Sequence, residues 1–370
     1  MAFRKSPVGR AFHDFFGENT LRSDLSVSVP GLGSLLDHTG PVAEAEANTA
    51  RTFGADHSFY VVNGTSTSNK IIWHAYVTRD DLVLVDRNCH KSILHAIIMT
   101  GAIPIYLSGS RNDYGIIGPI ARDAFSAESL QQLIEQHPLV DDSSKRIKLA
   151  VLTNSTYDGL CYNTDMIKSQ LHDSVDVLHF DEAWFGYAAF HPFYHGRHGM
   201  SEPAEAPRTK HALVFATQSP HKVLAALSQA SIILAKNSAE QQLDHERFNE
   251  AYMMHTSTSP HYGMIASIDV ATGMMAGPAG RSLVQETLDE ALSFRRAMQQ
   301  TAEQMAEEEW WFDVWEPEAS LAQPELHATD WTLDDQAEWH GFGKMSSDFA
   351  MLDPIKVSLL TPGVEEKGRL

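Results

Sequence analysis

The stretch Val177-Leu178-His179-Phe180-Asp181-Glu182-Ala183-Trp184 decides how the rest of the chain is read. Val177–Phe180 is short, apolar and bounded by polar residues, which predicts a buried strand with Asp181 at its carboxyl end. Working outward, Ser58–Val62, Leu82–Val85, Ile103–Tyr106, Lys148–Leu152, Leu213–Ala216 and Ser231–Ala235 read the same way, and helical patterns follow several of them. The alternation predicts an α/β fold with a mostly parallel central sheet. Ligands of such sheets sit outside the carboxyl ends of the strands, so the residues just past each strand are the functional candidates.

The chain has 370 residues, 48 acidic against 28 basic, and a net charge of −20 with histidines neutral. That charge disfavours a nucleic acid or an anionic membrane surface as partner, because both need clustered Lys and Arg. No run approaches a membrane span, and Met1-Ala2-Phe3-Arg4-Lys5-Ser6-Pro7 has no apolar segment behind its basic residues. Two cysteines, Cys89 and Cys161, form neither a disulfide framework nor a CxxC site, which predicts a reducing, cytoplasmic setting. Near Arg281–Glu309 the pattern becomes one long amphipathic helix, so we expect a major domain over 1–280, with 1–40 as a linker or arm, and the start of a smaller lobe over 281–370. Trp310–Trp315 and Lys356–Leu360 read as strands of that lobe, and the end at Thr361-Pro362-Gly363 plus a charged tail looks early for a finished domain.

Several motifs fail on inspection. Gly31-Leu32-Gly33 lacks a third glycine and follows no strand, and no P-loop, zincin or nucleophile-elbow motif is present. His191, His195 and His198 are separated by Pro192 and Gly196, which break a ligand-bearing helix and predict a surface loop and no metal. Ser219-Pro220-His221-Lys222 matches the SxxK of penicillin-recognising hydrolases without its companion motifs.

Four strand-end features agree with one another. Asn63-Gly64-Thr65-Ser66-Thr67-Ser68-Asn69 precedes an apolar helix, and its hydroxyls either cap that helix or, with the free N–H groups and the positive dipole end, bind phosphate. Asp181 is either a cap or ion-pair partner, or the carboxylate for a protonated ring nitrogen. Lys222 begins the small-residue stretch Val223–Ala230, expected to be helical, and is either an exposed lysine or a desolvated amine fit for a Schiff base. His90 is either a hydrogen-bonded structural histidine or a flat face for a planar ring. A phosphate cup, an acid, a lysine and an aromatic face are what pyridoxal phosphate needs.

With Leu35–Gly40, Asn63–Asn69, Val85–Ser92, Asn154–Gly159, His179–Trp184, Ser219–Lys222 and Tyr252–Pro260 in order, the chain resembles the major domain of the bacterial ornithine/lysine/arginine decarboxylases, pyridoxal-phosphate enzymes of the aspartate-aminotransferase fold, fold type I. The resemblance implies that Lys222 forms the Schiff base, Asp181 pairs with the pyridine nitrogen and His90 stacks on the ring. It also implies that Thr65, Ser66 and Ser219 bind the phosphate, that Trp184 and His221 join the cofactor set, and that Ser257 reaches the phosphate of a neighbouring subunit. A homodimer or larger assembly with a shared site, a basic amino-acid substrate, and an acid-resistance or polyamine role follow from the same resemblance. Tyr114–Ile120 and Asp181–Tyr187 look most like the acid-induced arginine decarboxylases, which favours arginine over lysine and ornithine. Two departures stand out: Pro220 replaces the family's usual threonine, and the wing and C-terminal domains are not in this chain, which reads as a catalytic core. The other readings are an aminotransferase or related enzyme of the same fold, a non-catalytic core serving as partner or regulatory subunit, and the SxxK hydrolase acylated at Ser219.

Overall fold

The computed structural model describes residues 2–25, 29–202, 209–305, 312–317 and 326–361. Its strands are β1 (His57–Val61), β2 (Leu82–Asp86), β3 (Ile103–Leu107), β4 (Ile147–Thr153), β5 (Leu160–Tyr162), β6 (Val175–Asp181), β7 (Leu213–Gln218), β8 (Ser231–Lys236), β9 (Asp313–Val314), β10 (Ala350–Leu352) and β11 (Leu359–Leu360). Seven of these make one sheet in the order β1-β8-β7-β6-β4-β2-β3. All pairings within it are parallel except those of β8, which runs antiparallel to both β1 and β7. The expected mostly parallel α/β sheet is therefore present, each expected strand lying within two residues of its place.

The helices are α1 (Pro7–Ser23), α2 (Gly40–Phe53), α3 (Thr65–Tyr76), α4 (Lys91–Thr100), α5 (Ala127–Glu135), α6 (Thr164–Leu171), α7 (Pro220–Val223), α8 (His245–His255), α9 (Tyr262–Met275) and α10 (Pro278–Gln304). The sheet strands are apolar on both faces because helices cover both, so β2, β6, β7 and β8 are buried throughout or nearly so. α3 packs against α4 and α8, and its Ile71, Ile72 and Trp73 are fully buried, which holds its N-terminus at the carboxyl edge of the sheet. Truncating any one of these would cost about 2–5 kcal/mol.

A second apolar cluster joins α10 to Phe185, Tyr187, Tyr194, Trp315, Trp331 and Phe342. Its anchor is Arg295, fully buried, paired with Glu316 at 2.9 Å and donating to the carbonyls of Pro354, Trp315 and Lys356. The long helix starts earlier than expected, at Pro278, because Gly277 at φ +65° turns the chain and proline suits a first helical position. Ala306–Glu309, Trp310, Trp311, Pro362 and Gly363 lie outside the described residues. The expected strand Lys356–Leu360 shortens to Leu359–Leu360, because Lys356 closes a turn onto the Asp353 carbonyl at 3.1 Å. The expected helix Val223–Ala230 is absent. One turn, α7, gives way to a bent segment, since adjacent antiparallel strands β7 and β8 need only a return loop, with Gln229 at φ +74° closing it. No helix among the described residues is long and apolar enough to cross a membrane.

Candidate active site

A cavity of about 870 Å³ opens at the carboxyl edge of the sheet, and its wall includes Thr65, Ser66, His90, Asp181, Trp184, Ser219, His221 and Lys222. Residues from four separate stretches thus meet where the topology predicts a ligand. Gly64, at φ +77°, carries the chain from β1 into α3, and no side chain caps that helix. The hydroxyls do something other than capping. Thr65 Oγ1 lies 2.6 Å from Ser219 Oγ and 2.8 Å from Ser231 Oγ, Ser68 reaches the same Ser231 hydroxyl at 2.8 Å, and Thr67 donates to the Asn63 carbonyl. The positive end of a twelve-residue helix is left facing the cavity, with hydroxyls around it, a suitable cradle for a phosphate.

Asp181 is the last residue of β6, level with Thr153 of β4 and Thr217 of β7, and is 6% exposed. Its Oδ2 accepts from Asn69 Nδ2 at 2.9 Å and its Oδ1 from the Ala183 N–H at 3.3 Å. Burial raises its pKa, opposed by the Asn69 hydrogen bond, His90, the Ala183 N–H and Lys222. A buried carboxylate with lone pairs toward an open cavity is suited to meeting a cationic N–H. His90 is hydrogen-bonded, the first of its two expected descriptions, and it also lines the cavity. Its Nδ1 accepts from the Ser92 N–H at 3.2 Å and pairs with Ser92 Oγ at 2.8 Å, capping α4, while its ring remains exposed on the cavity wall. Burial lowers its pKa; Asp181 opposes this, and Lys222, Lys91 and His95 reinforce it.

Lys222 shares features of both of its expected states. It is exposed, on α7, with Nζ 4.5 Å from the centre of the Trp184 ring. The cavity walls still lower its pKa by partial burial, with Asp181 opposing. Trp184 is itself braced by Tyr157, ring centres 5.3 Å apart. His221 lines the cavity with Nδ1 tied to the Ala230 carbonyl at 2.7 Å. Pro220 is buried at the first position of α7, where an N–H has no partner within the helix, and is not among the lining residues. Ser257 lies outside this cavity, exposed on the segment after α8. Ser219 bonds to Thr65, and no hydrogen bond joins it to Lys222 Nζ among the described residues, which removes the geometry an SxxK nucleophile needs. His191 bonds Gln285 and caps a short turn, and no three metal-capable side chains cluster among the described residues.

Two important residues escaped the sequence reading. Asn69 was visible only as the end of a hydroxyl-rich run, yet it stands four residues from Thr65 on the same face of α3, a spacing that could have flagged it. Glu182, fully buried beside Asp181, accepts from Asn154 Nδ2 at 2.9 Å, the Gly199 N–H at 2.6 Å and Gln218 Nε2 at 3.1 Å. Burial raises its pKa to about 7 against those three donors.

The whole chain, residues 1–370, matches the family described as Orn/Lys/Arg decarboxylase, major domain. A lysine decarboxylase of Pseudomonas aeruginosa is 62% identical over 372 residues, covering 100% of this chain and 49% of the relative. The biodegradative arginine decarboxylase of Escherichia coli is 45% identical, covering 100% of this chain and 51% of the relative. The solved structure of lysine decarboxylase A from Pseudomonas aeruginosa superposes with a TM-score of 0.92 at 62% identity, over 100% of this chain and 49% of that one. The chain spans about half the length of the curated relatives it matches. On that match over its full length, the chain belongs to the Orn/Lys/Arg decarboxylase family.

Proposed function

We propose that this chain is the pyridoxal-phosphate-binding core of a decarboxylase acting on a basic amino acid, with lysine as substrate. The single observation that supports it most is the convergence of Lys222, Asp181, His90 and the α3 N-terminus on one cavity. The residues fit the cofactor: a buried, hydrogen-bonded carboxylate for a ring nitrogen, an uncapped helix end for a phosphate, and an amine with a lowered pKa. Pyridoxal phosphate, when bound, supplies an electron sink for the carbanion left when CO₂ departs. Lys222 would hold it covalently through Nζ, and its depressed basicity eases proton exchange at that nitrogen. Asp181 would keep the ring nitrogen protonated, and its burial makes that interaction stronger than it would be in water. His90 and Trp184 would flank the ring, while Thr65, Ser66, Ser219 and His221 would fix the phosphate end. Ser257 would serve a second copy's site across a homodimer interface.

Lysine replaces the arginine favoured by Tyr114–Ile120 and Asp181–Tyr187, because the relative named a lysine decarboxylase is 62% identical and the one named for arginine 45%. We also propose a boundary near residue 280 between the cofactor domain and a smaller lobe, and a cytoplasmic setting in keeping with two free cysteines, Cys89 and Cys161. A second reading is a core that binds the cofactor without turnover of its own. The test is borohydride reduction of the chain with pyridoxal phosphate, peptide mapping, and release of CO₂ from lysine, arginine and ornithine. An adduct on Lys222 with lysine turned over fastest is the expected result. An adduct without CO₂ would favour the second reading, and no adduct would defeat both.

A further inference from the structure

The polar side chains under the cavity form one hydrogen-bonded chain whose donor directions can be solved. Asp181 Oδ2, a carboxylate oxygen that only accepts, fixes the nitrogen end of the Asn69 amide, so the other end is oxygen and Thr217 Oγ1 donates to it at 2.8 Å. Asn69 Nδ2 therefore donates twice, to Asp181 Oδ2 and to Ser92 Oγ, each at 2.9 Å. Because Thr217 spends its only proton on Asn69, the contact from His179 Nε2 at 3.1 Å must bring its own hydrogen. His179 is then protonated on Nε2, and its Nδ1, buried with no partner, is a bare lone pair, the cheaper atom to leave unmatched. At the other end, Ser92 Oγ receives the Asn69 proton and passes its own to His90 Nδ1, which also receives the Ser92 N–H. A nitrogen that accepts twice carries no hydrogen.

We infer that Asn69 is a positioning residue that anchors the Asp181 carboxylate and, through Ser92, fixes His90 as the neutral Nε2–H tautomer. One amide sets both the partner expected for the ring nitrogen and the charge state of the face expected to stack on the ring. The consequence for the cofactor rests on the function proposed above. A neutral imidazole adds no second cation over a protonated ring, so Asp181 has the ring nitrogen to itself.

The tautomer is measured on the chain without cofactor, by long-range proton–nitrogen NMR of histidine-labelled protein at neutral pH, the His90 signals assigned by their loss in His90→Gln. A bare Nδ1 with protonated Nε2 is expected; a hydrogen on Nδ1, or a charged ring, overturns the inference whatever the cofactor does. Pyridoxal-phosphate dissociation constants then test the anchoring role. Asn69→Asp, which cannot donate to Asp181, should weaken binding by about tenfold or more. Thr217→Val, which leaves the buried Asn69 Oδ1 without its donor, should weaken it several-fold, and Thr217→Ser should restore it. Unchanged binding in both Asn69→Asp and Thr217→Val overturns anchoring, as does failure of Thr217→Ser to rescue. Absence of cofactor binding by the unmodified chain would instead defeat the proposed function and leave the tautomer to decide the rest.

Discussion

Asp181 and Glu182 are neighbours in the chain, yet they inhabit opposite environments. Strand alternation sends successive side chains to opposite faces, so as β6 ends one carboxylate meets the cavity and the next turns into the protein. Asp181 has one side-chain donor and one backbone donor, which leaves acceptor capacity facing open space. Glu182 has three donors and no opening. Of two adjacent acids, the one with lone pairs to spare is placed to do chemistry, and the saturated one holds together β7, the Asn154 loop and Gly199. Gln218 completes that nest: its Oε1 is buried without a partner, and a turned amide would offer it to a protonated Glu182.

The contrast can be broken from either side. The largest effect is expected at the cavity. Lys222→Ala should abolish the reducible cofactor adduct and lower any CO₂ release by on the order of a thousandfold or more, while thermal stability stays unchanged because the side chain is exposed. Retention of activity, or a large drop in melting temperature, would undo that assignment. On the buried side, Glu182→Ala should leave three donors unmatched and cost about 3–5 kcal/mol in denaturant unfolding. A milder loss would mean that water enters the nest.

Acidity sharpens the comparison further. Glu182 has its folded pKa raised from 4.5 to about 7, so between those values the folded chain binds the proton that the unfolded chain has released. Its contribution is present below pH 4.5 and is lost as pH rises toward 7, the direction opposite to that of a salt-bridged acid. Glu182→Gln should flatten this slope, removing about 3 kcal/mol of pH dependence across the window, read from unfolding curves at its two ends. An identical slope in both proteins would place the raised proton affinity elsewhere. The smallest effect is expected at Gly64, where φ is +77° and a Cβ would meet nothing within 4 Å. Gly64→Ala should cost about 1–3 kcal/mol of stability from backbone strain alone, since ψ is 163° as well, checked by melting temperature.

What the sequence disclosed follows from how local each signal is. Val177–Phe180 and its six counterparts were legible because a buried strand is a continuous apolar run, and Asp181, His90 and Lys222 because each stands just past one. The shortness of α7 was not, since Val223–Ala230 has helix-compatible composition and only the antiparallel direction of β8 removes the need for a crossover helix. The pairing of β5 with β10 leaves no periodic trace, as its partners lie far apart in the chain. Asn69 was hidden because an amide at the end of a run of hydroxyls resembles more of the same, and its importance comes from Thr217, Asp181 and Ser92, on three other elements.

The reversed direction of β8 has a temporal consequence. β1, made early, has no partner in the sheet except β8, and the Thr65 and Ser231 hydroxyls that meet at 2.8 Å are separated by 166 positions. The cradle at the head of α3 therefore closes only after the ribosome has delivered more than half the chain, and such distant contacts are the slow ones to form. A ligand that needs this cradle would bind late during synthesis, and its capture would mark the moment when the first-made strand finds its place.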